Sequence, residues 1–157
     1  MVDVVHSHEE IRRVLQEELE RAKTNITLNI EREGKRATGK TAEGMTVTVA
    51  DEGLGVIGTL SGRAFFGALE TGSRPWSVQY GSAPKFFADI IAEWAKAKGV
   101  EANPYAIATK IMREGSKQYR DGAITTIYTE EIDATMGRIS ERVTEVLDVA
   151  LTQSIKR

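Results

Sequence analysis

Ile132, Met136, Ile139, Val143, Val146, Leu147, Ala150 and Ser154 step by three and four residues to the end of the chain. That period places them on one face of an α-helix. It predicts a helix of about 25 residues, ~37 Å long at 1.5 Å rise per residue, whose apolar stripe must be covered. A second stripe, Ile11, Val14, Leu15, Leu19, Ala22 and Ile26, predicts a helix over residues 8 to about 30. Ser7 and Glu10 have the spacing of a capping box at its start. Ile26, Leu28 and Ile30 alternate, so its end is also compatible with strand. Two long amphipathic helices at opposite ends of the chain leave room for only a small sheet.

Between them, Met45, Val47 and Val49 alternate with Thr46 and Thr48, the pattern of a half-buried strand. Asp51-Glu52-Gly53 reads as a turn and Leu54 to Leu60 as a second strand, giving a hairpin. Pro84 fits the first turn of a helix over 84–98, closed by Gly99. Phe86, Phe87, Ile90, Ile91, Trp94 and Ala95 make its apolar face, and the spacing assigns Trp94 to the core. Asn103-Pro104 opens another short helix, with Ala108, Ile111 and Met112 inward and Gly115 closing it. Residues 33–44 and 116–128 carry no period and read as loop and connector. The predicted fold class is α+β: an antiparallel hairpin packed against long N- and C-terminal helices and two short central helices. A chain of 157 residues fits one such domain, residues 1–157.

Within the 33–44 loop, Gly34-Lys35-Arg36-Ala37-Thr38-Gly39-Lys40-Thr41 matches the phosphate-binding pattern G-x-x-x-x-G-K-S/T. A working P-loop leaves a parallel strand and enters a helix whose N-terminus faces the phosphates. Here a helix precedes the loop, and strand-like alternation starts a few residues after Thr41. "VTVAD" at 47–51 comes too soon after Lys40 for a parallel crossover. Gly34, Gly39, Lys40 and Thr41 are therefore a decoy, and no nucleotide or other cofactor is expected.

Other chemistry finds no constellation. There is no cysteine, which removes disulfides and thiolate catalysis and fits a reducing compartment. His6 and His8 are the only histidines, do not share a helix face and have no third ligand at metal-site spacing. Ser61 and Ser73 lack a histidine partner. Glu70 and Asp89 could pair only through folding, and Glu70 reads as a surface residue or ion-pair partner. A net charge of −2 argues against a general nucleic-acid binder. The two central helices have a helix-turn-helix outline, yet the outward Thr109, Lys110, Arg113 and Glu114 offer few base-reading groups. No apolar run is long enough for a membrane helix, and the N-terminus has no apolar signal-peptide segment. What stands out instead is Trp76 and Tyr80 in a polar loop beside Arg74, since aromatics and arginine are enriched at interface hot spots.

The order of segments resembles the tail-completion proteins of tailed bacteriophages, also called neck or tail-to-head joining proteins. A helix leads into the loop "ATGKTAEG", then the hairpin "MTVTVADEGLGVIGTL", then "AFFGALETGSRPW". The family's E-x-G-S/T turn is matched by Glu70, Thr71, Gly72 and Ser73, and its W-x-x-x-K-G helix end by Trp94, Lys98 and Gly99. Its A-x-x-I-x-x-x-G-S/T-K segment is matched by Ala108, Ile111, Gly115, Ser116 and Lys117. The resemblance spans about residues 8 to 150. One departure is "RPWSVQYGSAPKFF" in place of an apolar P-F-L segment.

The resemblance implies a virion structural protein rather than an enzyme, made in the host cytoplasm. It implies a homo-oligomeric ring, six- or twelve-fold, at the capsid–tail junction. Its neighbours would be connector and tail-tube proteins, with non-specific contact to channel DNA and no membrane. A tail terminator or minor capsid protein is the alternative within that class. A DNA-binding regulator and a nucleotide-binding protein are the alternatives outside it. The expected interface residues are Lys35, Arg36 and Lys40 in one loop and Glu70, Arg74, Trp76 and Tyr80 in the other. The 33–44 loop has no large apolar side chain, so it is expected to be mobile in the lone subunit and ordered in the ring.

Overall fold

The chain begins with a helix, α1 (Val2–Arg32), in the computed structural model, which describes residues 2–53, 55–76 and 81–155. The order continues α2 (Lys40–Glu43), β1 (Thr46–Glu52), β2 (Gly55–Ser61), α3 (Ala68–Thr71), α4 (Lys85–Lys98), α5 (Pro104–Glu114), α6 (Lys117–Arg120) and α7 (Thr129–Ile155). The fold is α+β, a two-stranded antiparallel hairpin packed against the long terminal helices, with shorter helices between. By its internal contacts the chain divides into two compact units. Unit 1 comprises Met1–Asn29, Met45–Gly62 and Tyr128–Arg157; unit 2 comprises Ile30–Gly44 and Arg63–Ile127.

Helix α1 starts several residues before Ser7, which therefore lies inside the helix and is not its cap. The alternation at its far end is helical: Ile26 and Ile30 are buried and Leu28 is exposed. The hairpin register runs from Thr46 opposite Ser61 to Glu52 opposite Gly55. Strand β1 thus continues through Asp51 and Glu52, and the turn contains Gly53, whose φ of 61° suits glycine. Val47 and Val49 share their half-buried face with Leu60 and Gly58 directly opposite. Gly58 lies against Leu15 and Leu19 of α1. A Cβ there would lie 2.7 Å from Leu19 Cδ1, so a larger residue would make the end of the Leu19 side chain shift. Arg12 Nη1 meets Asp51 Oδ1 at 2.7 Å and ties the end of β1 to α1.

Helix α7 is held to α1 by charge. Arg138 donates from Nε to Glu18 Oε2 at 2.7 Å, and Arg142 from Nη1 to Glu18 Oε1 at 2.8 Å. Arg138 also donates to Glu131 and Thr135, each at 2.8 Å, and Arg142 to Glu17 at 2.6 Å. The expected eight-residue inward stripe is only partly covered. Ile139, Val143, Val146 and Ala150 are half buried, whereas Ile132, Met136, Leu147 and Ser154 are exposed, Met136 at 62%. The buried position is Thr135. Two arginines anchored on one carboxylate turn the polar Glu131–Thr135–Arg138–Arg142 edge toward α1, and the apolar stripe is rotated partly outward.

Unit 2 has its own core of Ala83, Phe87, Ala88, Ile91, Ala108 and Met112, with Ile107 and Ile111 packed on it. Asn103 caps α5, its side chain accepting from the amides of Tyr105 and Ala106, and Gly99 closes α4 in the left-handed conformation. Phe86, Ile90 and Trp94 lie outside the core, and Trp94 is 38% exposed. A helix of this length buries one face, here Phe87, Ala88, Ile91 and Ala95. The segments read as loop and connector each contain one helical turn, α2 and α6.

Burial alone would raise the pKa of Glu18, but the hydrogen bonds and charges of Arg138 and Arg142 outweigh it and hold it below the ordinary 4.5. Glu131 is likewise lowered, burial being overcome by hydrogen bonds from Arg138, Asn25 and Thr135. A carboxylate depressed by folding adds stability that is complete above its unfolded pKa and is lost as pH falls through its folded value. Stability should therefore decline below about pH 4.5, and Glu18→Gln should flatten that decline in urea titrations. At neutral pH, Arg138→Ala should cost roughly 2–3 kcal/mol because it strands a buried charge. Arg12→Ala, whose partner Asp51 is largely exposed, should cost less than about 1 kcal/mol.

Candidate functional site

The matched segments Glu70–Ser73 and Gly115–Lys117 meet in unit 2. The amide of Ser73 donates to Ser116 Oγ at 3.0 Å, and the amide of Ser116 donates to the Ser73 carbonyl at 2.9 Å. Ser116 Oγ also accepts from the Tyr119 amide and so caps α6. Both glycines have positive φ, 76° at Gly72 and 85° at Gly115. A Cβ on Gly72 would lie 2.5 Å from Ser116 Oγ and from the Tyr119 nitrogen; one on Gly115 would lie 2.8 Å from the Ser73 carbonyl oxygen. Each glycine is needed for its own backbone angle and for the approach of the other segment.

Glu70 belongs to this joint and not to the surface. It is 5% exposed, and its Oε1 accepts from the Ile127 amide at 2.7 Å. Its carbonyl accepts from the Thr125 amide at 3.0 Å and from Gln118 Nε2 at 2.6 Å. The expectation of an exposed contact at Glu70 is thus corrected: its carboxylate holds Ile127 and its carbonyl holds Thr125, which fastens this stretch to α3. Asp89 is engaged elsewhere, with Lys85 at 2.8 Å on the surface of α4.

Beside the joint the chain leaves it toward solvent. The Trp76 amide donates to the Met112 carbonyl at 3.0 Å, and the Trp76 ring stands edge-on to Phe87, with centroids 5.6 Å apart at 79°. One ring is core and the other is half exposed. Trp76 (49%), Phe65 (54%) and Phe86 (60%) border a cleft of about 460 Å³ whose lining includes Arg74. Arg74 has no ion pair among the described residues. Tyr80 lies outside the described residues. The sequence pointed to Arg74 and Trp76 but not to Phe65 or Phe86. Phe86 and Phe87 both fit an apolar helix face, and their spacing alone does not say which ring stays exposed.

The basic loop has partners of its own. Lys40 Nζ meets Glu93 Oε2 at 2.6 Å, Arg36 pairs with Glu31, and Lys35 Nζ donates to Gln118 Oε1. Lys98 Nζ donates to the Gly34 carbonyl at 2.9 Å. The premise that only an outside partner could order these residues is therefore corrected, since four contacts within unit 2 hold them. The loop, α4 and Arg63 border a hollow of about 320 Å³ lined also by Phe66, Leu69 and Trp94.

Gly39 to Thr41 do not form a phosphate cradle. Helix α1 precedes them in place of a strand, the helix that follows has four residues, and the sheet is antiparallel. On α5, Thr109 Oγ1 accepts from the Ala83 amide at 2.9 Å and Arg113 donates to the Gly81 carbonyl at 2.6 Å, so two of four outward groups secure residues 81–83. Among the described residues no group of three or more His, Asp or Glu is placed to hold a metal ion, and no helix is long and apolar enough to cross a membrane. In comparisons with known proteins, no family model, no curated protein and no solved structure matches this chain.

The joint predicts a contrast among three glycines. Gly72→Ala and Gly115→Ala should each lower stability by about 1–3 kcal/mol or more, from left-handed backbone and lost approach. Gly67→Ala, at φ −59° with nothing near its Cβ position, should change stability by less than about 0.5 kcal/mol. Thermal melts of the three variants measure this directly.

Proposed function

We propose that this chain is a virion structural protein of the tail-completion type, forming a ring at the capsid–tail junction of a tailed bacteriophage. The observation that carries it is the joint. Two of the short motifs behind the resemblance, far apart in sequence, are spatial partners whose glycines and serines are each required by the other. That supports treating the matched positions as one structural unit instead of scattered coincidences.

The surface supports a protein partner more than a small ligand. An aromatic cleft lined by an arginine that has no ion pair among the described residues has the composition of an interface hot spot. Arg74 and Trp76 are therefore the leading contact residues. Lys35, Arg36 and Lys40 would have to exchange existing partners to reach a neighbour or channel DNA. Neighbouring rings would be those of connector and tail-tube proteins.

Particles purified by density gradient provide the test. Quantitative mass spectrometry should find the chain at six or twelve copies per particle, and cryo-electron microscopy should place its ring between portal and tail tube. A position capping the end of the tail tube itself would mean a tail terminator, and a position within the shell a minor capsid protein. Absence from purified particles would end the virion reading. Duplex DNA binding with a steep salt slope, in a chain missing from particles, would favour a regulator.

A further inference from the structure

The two units carry opposite charge. Unit 1 holds 14 acidic and 8 basic residues and unit 2 holds 9 acidic and 13 basic, giving −6 and +4 within a chain of net −2. Each unit also exposes an apolar surface of matching sign. On unit 1, Ile132, Met136, Leu147 and Leu151 are exposed along one side of α7, separated by whole helical turns. Asp133 and Asp148, both exposed, flank that stripe on the side away from the Arg138–Arg142 contact with α1. The basic groups of α7 nearest the stripe, Arg138 and Arg142, are already paired with Glu17, Glu18 and Glu131. On unit 2, Phe65, Trp76 and Phe86 surround the cleft that Arg74 lines.

We propose that the exposed acidic–apolar face of α7 docks into the aromatic, Arg74-bearing cleft of unit 2 on a second copy of this chain. The charge pattern selects this occupant. Pairing α7 with α7 of another copy would bring Asp133 and Asp148 against their own kind, and such like-charge juxtaposition is unfavourable. The aromatic cleft offers the opposite sign and apolar side chains for Met136 and Leu147 to cover. Because the two faces differ, the contact is heterologous: one copy's α7 meets the next copy's cleft, and the chain can extend around a ring. The inference rests on the ring reading above and names the faces that would build it.

The test uses the purified full-length protein and two surface variants. Met136→Lys/Leu147→Lys alters only the α7 face, and Arg74→Glu/Phe86→Asp alters only the cleft face; all four side chains are exposed, and circular dichroism melts check that both variants fold. In sedimentation equilibrium at low salt the wild type should self-associate, with the dissociation constant rising at least about tenfold between roughly 0.05 and 0.5 M salt. Each variant alone should sediment as the 17.3 kDa monomer, and an equimolar mixture should regain a species of about twice that mass. That rescue arises because the mixture still contains one intact α7 face and one intact cleft. A wild type that stays monomeric at millimolar concentration, a folded variant that associates like wild type, or a mixture that stays monomeric would each overturn the proposal. The assay needs no particle, so self-association through these faces in a chain absent from virions would refute the capsid–tail reading and leave this contact standing.

Discussion

A carboxylate removed from water must be given its counter-charge in place, and Glu18 receives it from two arginines one helical turn apart on α7. This sets the rotation of α7. The guanidinium groups must point at α1, so the apolar residues next to them cannot all do so. A helix turned to bury Ile132, Met136 and Leu147 fully would have to pull Arg138 and Arg142 away from Glu18. Leaving an unpaired charge at a site only 4% exposed costs several kcal/mol, comparable with burying two or three aliphatic side chains at about 1.5–3 kcal/mol each. The ionic contact therefore keeps an apolar stripe on the surface of unit 1.

A second constraint governs unit 2. Two tight turns cross with no space for a Cβ at Gly72 or Gly115, and their serines exchange backbone and hydroxyl hydrogen bonds. From that crossing the chain emerges with Trp76 pinned by its amide to Met112, the last buried residue of α5. Glu70 fixes the opposite side by accepting from Ile127. The exposed Trp76 is thus mounted on a tight crossing, which would lower the entropy lost if a partner of the proposed kind covered it.

What the sequence disclosed follows the range of the forces involved. Local signals were legible: the Asn103 cap, the Gly99 and Gly115 stops, the alternation of Val47 and Val49, and the two long helical periods. Each depends on residues within a turn or two. The rotation of α7 was not legible, because apolar period ranks side chains by hydrophobicity and cannot foresee that Glu18 would claim Arg138 across 120 residues. Trp94 and Glu70 failed in opposite directions for the same reason. Trp94 sits at a core-like spacing but borders a hollow, and Glu70 looks like surface until Ile127 arrives 57 residues later. Within the candidate site, Arg74 and Trp76 stood out as large side chains in a polar loop. Phe65 and Phe86 were hidden among neighbouring apolar residues, whose sequence pattern says how much is buried but not which ring is left over.

Together the two constraints give the subunit unlike surfaces. One is apolar with carboxylates beside it; the other is aromatic with an arginine. Like surfaces favour closed pairs, in which each copy satisfies the other and growth stops. Unlike surfaces cannot satisfy themselves in that way, so every copy that docks leaves one face of each kind free. Growth then ends only when the rotation between successive copies closes on itself, and otherwise it continues as a filament. A protein built in this manner benefits from an interface that is weak for a single pair, because closure adds a second contact to the last subunit without further loss of translational freedom. Half-buried aromatics and exposed ion pairs are suited to that regime. In the contact proposed above they would contribute specificity and reversible docking in the single pair, and a closed assembly would supply the rest of the stability.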